Sequence, residues 1–276
     1  MARVQRPAAR LRVLLSSPGI KLMPCCYDAL SARQVEAAGF PLTFVSGFSV
    51  AAAKGFPDTG LLSYGETVEV MGSVAAALRS IPCIGDGDTG YGNAVNTKRT
   101  VQGYARAGMA GIMIEDQVAP KRCGHTRDKQ VIGRADAVAR IRAAVDAAHE
   151  GPDDVLIMAR TDARATDGMD EALERCRLFR EAGADITFLE APRSREEMSL
   201  YCESIDGPKM VNCLAGGLTP LLPPAELERM GFSIAAFPLE SRRQTSNPLL
   251  ALAPSRRCTT TPLQPCARAL SHVPVR

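Results

Sequence analysis

Eight short apolar runs, rich in β-branched residues, leucine and methionine, recur along the chain: KLMPCC (21–26), LTFVSG (42–47), IPCIGD (81–86), GIMIED (111–116), VLIMAR (155–160), ITFLEA (186–191), KMVNCL (209–214) and FSIAAFP (232–238). Each is bounded by Gly, Pro or a polar residue and has the length of a strand buried on both faces. Between most of them, apolar positions return every three or four residues, as in SARQVEAAG (31–39), NTKRTVQGYARAG (96–108), RADAVARIRAAVDAAHE (134–150) and MDEALERCRLFREAG (169–183). That is the period of a helix with one buried face. Several of these segments close on Ala-Gly, and the glycine supplies the left-handed cap that turns the chain toward the next strand. Alternating strands and helices predict an α/β chain folded as a (β/α)8 TIM-type barrel over residues 1–240, with an open doubly wound sheet as the alternative.

In a barrel, the loops after the strands build the site. The strand ends carry Ser46, Asp86, Asp88, Glu115, Asp116, Arg160, Asp162, Glu190 and Asn212. The segment GDGDTGYGN (85–93) contains the G-x-G-x-x-G spacing of a dinucleotide loop. Its two aspartates would face the pyrophosphate, and each like-charge contact at about 4 Å costs roughly 1 kcal/mol in water and more when buried. A calcium loop of the EF-hand type also fails, because its twelfth position from Asp86 is Thr97 rather than glutamate. Carboxylates at Asp86, Asp88 and Glu115 form an oxygen-only set suited to Mg2+ or Mn2+, and a plain Gly-Asp turn without a ligand is the alternative. Arg160 offers a planar fork to a substrate carboxylate, or else pairs with Glu190 or Asp162. The backbone amides of SGFS (46–49) offer a second anion site. Finally, EDQVAPKRCGH (115–125) sets Cys123 beside Lys121, Arg122 and His125, cations expected to stabilise its thiolate.

Composition narrows the functional classes. Nine cysteines without paired C-x-x-C spacing fit neither a zinc ribbon nor a disulfide framework, which points to a reducing compartment, cytoplasm or organelle. The formal charge of +3 conceals an uneven distribution: residues 241–276 hold six arginines and no acid, leaving 27 basic against 30 acidic residues in 1–240. A mildly acidic body gives no basic face for nucleic acid, and no apolar run approaches the roughly 18 residues of a membrane span. The segment MARVQRPAARLRVLLSS, arginine-rich and free of acids, reads either as an organelle transit peptide or as an amphipathic helix capping the domain.

Five ordered motifs, SGFSVAAAKGFPDTG (46–60), GDGDTGYGN, GIMIEDQVAPKRCGH, ARTDA (159–163) and FLEAP (188–192), together resemble the isocitrate lyase and phosphoenolpyruvate mutase superfamily. The branch they resemble most is that of the 2-methylisocitrate, 2,3-dimethylmalate and 2-alkylmalate lyases. The resemblance runs from about residue 10 to Leu239. It implies a magnesium-dependent lyase cleaving a carbon-carbon bond of a 2-hydroxy di- or tricarboxylate. Asp86 would then ligate the metal directly, with Asp58, Asp88 and Glu115 acting through water. Ser46, Gly47, Phe48 and Gly124 would hold the substrate with Arg160, while Glu190 and Asn212 would meet its far carboxylate region. Cys123 would protonate the enolate, supported by His125, whereas the phosphonomutases of the superfamily typically lack that thiol. A carboxyphosphonoenolpyruvate-type phosphonomutase is the alternative enzyme, and a catalytically impaired binding protein is the non-enzyme alternative. Pro238 stands where oxaloacetate acetylhydrolases tend to carry serine, which disfavours hydrolysis. After AAFPLE the chain departs from the superfamily pattern: five prolines in residues 241–276 predict a basic, disordered tail in place of the last barrel helix. That departure puts the superfamily's usual homo-oligomer in doubt.

Overall fold

The computed structural model describes residues 6–126 and 128–238. In it the eight apolar runs become eight parallel strands: β1 (Lys21–Cys26), β2 (Thr43–Val45), β3 (Cys83–Asp86), β4 (Gly111–Glu115), β5 (Leu156–Thr161), β6 (Ile186–Leu189), β7 (Lys209–Asn212) and β8 (Ile234–Phe237). They pair in chain order, and β8 returns to β1 with Lys21 opposite Ile234 and Pro24 opposite Phe237. This closure excludes the open-sheet alternative and leaves no strand edge unpaired.

The outer layer comprises α2 (Ala29–Ala37), α3 (Gly47–Ala53), α4 (Tyr64–Ala77), α5 (Ala94–Arg106), α6 (Arg134–Glu150), α7 (Ala163–Thr166), α8 (Met169–Glu181), α9 (Arg195–Ser204) and α10 (Pro224–Met230), after α1 (Pro7–Ser16). Local chemistry sets several of their ends. Asp28, Ser63 and Asn93 each cap the helix that follows in a reciprocal box with the residue three positions on. At the other end, Gly39 and Gly183 take φ of 84° and 102° after α2 and α8, a region that favours glycine. Helix α1 takes the capping role: Ala8 and Leu11 bury against Ile84 and Leu156 at the barrel interior. Its Arg12 bonds Asp154 at 2.7 Å and Asp185 at 2.8 Å. The expectations for residues 241–276, including the tail, the missing last helix and the doubt over the oligomer, lie outside the described residues. No helix among the described residues is long and apolar enough to cross a membrane.

Strand pleating decides which rim residues enter the barrel. Met23, Phe44, Ile84, Met113, Leu156, Met158, Phe188, Met210 and Ile234 form one interior cluster. Their neighbours Cys26, Val45, Cys83, Ile112, Ile114, Ile157 and Ala159 pack outward with helix residues. Two-residue alternation carries the inward series one step further, to Ser46, Asp86, Glu115, Arg160, Glu190 and Asn212. The same alternation turns Asp116 and Thr161 outward. Ser46 and Gly47, predicted at the tip of β2, instead cap and open α3, with Ser46 Oγ accepting the Ser49 amide at 3.3 Å.

Candidate active site

Of the inward rim residues, Ser46, Asp86, Arg160, Glu190 and Asn212 surround a cavity of about 160 Å3 at the C-terminal mouth of the barrel. Asp58 reaches it from the loop after α3, and Lys121 to His125 reach it from the loop between β4 and α6. Of the site residues expected from the sequence, Ser46, Phe48, Asp58, Asp86, Cys123, Gly124, His125, Arg160, Glu190 and Asn212 line the cavity. Gly47, Asp88 and Glu115 stand behind its wall. Phe44, Met113, Phe188, Met210 and Leu214 make much of the remaining lining apolar.

Four carboxylates gather at one end. Asp86 accepts the Gly47 amide at 3.0 Å and the Asp88 amide at 3.1 Å. A Cβ on Gly47 would lie 2.8 Å from Asp86 Oδ2, so this approach requires glycine. Burial, reinforced by Asp88, pushes the Asp86 carboxyl up to about 6. Burial raises Glu115 well above the carboxylate range, and its Oε1 has no hydrogen-bond partner. Asp88 takes the Tyr91 hydroxyl at 3.3 Å. Lys121 Nζ, a residue the sequence marked only as a neighbour of Cys123, bonds Asp58 and stands 2.8 Å from Asp88. Burial alone would lower its pKa, yet Asp88, Asp86, Glu115 and Asp58 together hold it well above the usual lysine value.

Among the described residues, no three His, Cys, Asp or Glu side chains converge as a ready-made metal cage. The oxygen-only donors, the unpartnered Glu115 Oε1 and the excess of four carboxylates over Lys121 and Arg160 nevertheless fit a hard divalent cation. Such a cation takes one or two protein oxygens and keeps water on the rest. The amide cradle expected at residues 46–48 is only partly available. The Ser46 amide donates to Cys26 O at 3.0 Å, and the Gly47 amide is held by Asp86. These amides are used up in joining β2 to β1 and β3.

Arg160 stands in an acidic cage. It makes a two-bond fork to Asp162 at 2.9 and 3.0 Å, and lies 3.2 Å from Glu190 and 3.4 Å from Glu115. All these contacts run through Nε and Nη2. Burial works against the charged form of Asp162, but Arg160 and Lys129 hold that carboxyl at about 2. Asp116 supports the cage from behind, accepting Thr161 Oγ1 at 2.7 Å, the Asp162 amide at 2.9 Å and Arg175 Nη1 at 3.0 Å. Asp116 and Asp162 are therefore props rather than cavity groups. Asn212 Nδ2 donates to Glu190 Oε2 at 3.3 Å.

The loop bearing Cys123 is tied at several points. Gln117 pairs with Val131 across its base, and the Gln117 side chain clamps Arg122 through both its amide and its carbonyl at 2.9 Å. Gly124 passes so close to Arg160 and Glu190 that a Cβ would lie 2.5 Å from each. Leu218 N donates to His125 Nδ1 at 3.2 Å, which leaves the ring proton on Nε2, facing Glu190 Oε1 at 3.4 Å.

The thiol does not behave as the local sequence suggested. Burial raises the Cys123 pKa and outweighs both a backbone hydrogen bond from His125 and the charge of Arg160. Lys121 is committed to Asp58 and Asp88, while Arg122 is exposed and lies 3.8 Å from Asp128. Cations adjacent in sequence are thus not charges adjacent in space, and Cys123 is held as a protonated thiol. Lys121 and Lys129 are not marked as site residues by the sequence, because no local pattern identifies a side chain whose partner comes from a distant loop. Gln117 and Tyr91 act through near neighbours without a motif that singles them out.

A family model described as phosphoenolpyruvate phosphomutase matches residues 11–250. The 2,3-dimethylmalate lyase of Eubacterium barkeri is 45% identical over 235 residues, covering 85% of this chain and 80% of that protein. The chloroplastic carboxyvinyl-carboxyphosphonate phosphorylmutase of Arabidopsis thaliana is 45% identical over 246 residues, covering 86% and 72%. Among solved structures, a 2,3-dimethylmalate lyase superposes with a TM-score of 0.82 at 37% identity, covering 86% of this chain and 80% of that one. A phosphonopyruvate hydrolase in complex with oxalate and Mg2+ gives 0.74 at 29% identity, covering 85% and 81%. The closed barrel accords with these matches, which extend over most of the chain, and the protein belongs to the PEP mutase/isocitrate lyase superfamily.

Proposed function

We propose that the protein is a carbon-carbon lyase acting on a 2-hydroxy dicarboxylate of the 2-alkylmalate kind, or on a 2-methylisocitrate, to give a 2-oxo acid and a second carboxylate. The observation that carries this reading is Cys123, a thiol on the cavity wall kept protonated by burial. Cleavage leaves an electron pair on the carbon next to a carboxylate, and that carbon must receive a proton. Cys123 Sγ–H donates it, a role worth about 10²–10⁴-fold. Glu190 Oε1, buried without a hydrogen bond, accepts the proton of the 2-hydroxyl as the carbonyl forms, with His125 Nε2 standing 3.4 Å from it. Arg160 offers Nη1 to a substrate carboxylate, its other nitrogens being held by the acidic cage. The Ser46 hydroxyl, Phe48, Gly124 and Asn212 complete the contacts to substrate, and the apolar lining takes the alkyl substituents. Mg2+, or Mn2+ in its place, would be held by Asp86 directly and by Asp58, Asp88 and Glu115 through water; when bound it supplies positive charge for the oxygens of the 2-oxo acid.

The test is incubation with a panel of 2-alkylmalates and methylisocitrate in the presence of Mg2+, with 2-oxo acid detected by a coupled dehydrogenase. Production of a 2-oxo acid from one of them supports the lyase. A phosphonomutase is the second reading, favoured by the 45% identity to the Arabidopsis phosphorylmutase. Turnover of a carboxyphosphonate with no cleavage of any hydroxy acid would replace the lyase by the mutase.

A further inference from the structure

Lys129 is a buried cation for which the proposed chemistry has no role. Its side chain is 1% exposed, and its ammonium donates to Asp162 Oδ1 at 2.8 Å and to the carbonyl of Gly124. These two acceptors connect separate parts of the site. Asp162 follows β5 and holds Arg160 in its fork, while Gly124 is the residue after Cys123. The Gly124 peptide has almost no clearance over Arg160 and Glu190, so a small shift of this peptide displaces the thiol relative to the guanidinium. The charge matters as well. With Lys129 in place, Asp162 has two cations; without it, Arg160 alone would face Asp162, Glu115 and Glu190 as well as a substrate carboxylate.

We propose that Lys129 is a positioning residue: by bonding the Gly124 carbonyl and Asp162 at once, it fixes the Cys123 thiol relative to the substrate carboxylate held by Arg160. The consequence for turnover rests on the lyase reading, whereas the placement of the thiol does not. The experiment therefore reads the thiol directly. Lys129→Met is treated with iodoacetamide, and alkylation of Cys123 is compared by peptide mass spectrometry with that of Cys202, a half-buried cysteine on α9 outside the loop. With the tie removed, the Cys123 rate is expected to rise about tenfold relative to Cys202, as local opening exposes the thiol without unfolding the barrel. Turnover is expected to fall about 10²-fold, the effect of an ångström-scale misplacement. In Lys129→Ala, propylammonium is expected to restore both the shielding and the turnover, and propanol neither.

An unchanged ratio of Cys123 to Cys202 in folded Lys129→Met overturns the proposal. So does equal acceleration of both cysteines, which would assign Lys129 to general stability. Should Lys129→Met fail to fold, Lys129→Arg keeps the charge beside Asp162 but displaces the donor, and the ratio is expected to shift in the same direction; an unchanged ratio there is equally fatal. If the wild type cleaves no hydroxy acid, the lyase reading fails while the alkylation ratio still decides the role of Lys129.

Discussion

Asp86→Asn removes a charge that the fold carries with difficulty at neutral pH. Burial and the neighbouring Asp88 hold the Asp86 carboxyl at about 6 against a usual value of 3.8. Between those values the folded protein binds a proton that the unfolded chain lacks, so stability falls as pH rises through this window, and the loss is complete above about pH 6. The gap corresponds to about 3 kcal/mol. Asparagine escapes that loss but has its own cost. Both Asp86 oxygens accept backbone amides, from Gly47 and Asp88, and the amide group of asparagine can serve only one of them as an acceptor. The mismatch costs about 1–2 kcal/mol. Without metal, the variant should therefore be less stable than wild type at pH 4 and more stable at pH 7.5, by about 1–2 kcal/mol or roughly 2–6 °C. Thermal melts in chelator from pH 4 to pH 8 follow the crossover. Added Mg2+ should raise the wild-type midpoint by mass action and leave that of the variant unmoved. A variant less stable than wild type at every pH, or one that keeps the magnesium response, would refute the reasoning.

Cys123→Ser should fold and keep the magnesium-induced rise in melting temperature while turnover drops about 10²–10⁴-fold, because a hydroxyl is a far weaker acid than a thiol; near-normal turnover would remove Cys123 from the mechanism. Gly124→Ala places a Cβ 2.5 Å from Arg160 Nη2 and Glu190 Oε2. It should raise the KM for the hydroxy acid that the wild type cleaves without lowering the melting temperature, and an unchanged KM would show that the loop tolerates a shift. The Asp162 carboxyl, held at about 2 by Arg160 and Lys129 against burial, contributes stability that is present above about pH 3.8 and lost as pH falls through 2. Asp162→Asn should therefore cost about 3–5 kcal/mol at pH 7 by urea denaturation, with the difference shrinking toward pH 2; a constant difference across pH would contradict the ionic role.

All eight strands were legible because a strand covered on both faces must be apolar along its length, and such runs stand out between amphipathic helices. The sequence even held the orientation of the rim, since Leu156-Met158-Arg160 and Met113-Glu115 are two-residue series whose last member follows the interior ones. Ser46 and Gly47 were placed one step too far along β2, because a strand end and a helix cap draw on the same small polar residues.

The sequence by itself determined the barrel, the acidic rim, Arg160 and the cysteine loop, all of which depend on residues within a few positions of one another. Only the tertiary structure decided the state of the charges. Lys121 finds Asp58 63 residues away, and Lys129 finds Asp162 33 residues away. Both contacts exist because barrel closure brings separate loops to one mouth. The Cys123 pKa reversed direction for the same reason: burial and the partners chosen by Lys121 and Arg122 are properties of the folded rim. Coulomb energy follows distance in space and local dielectric, and neither is written in the spacing of residues along the chain.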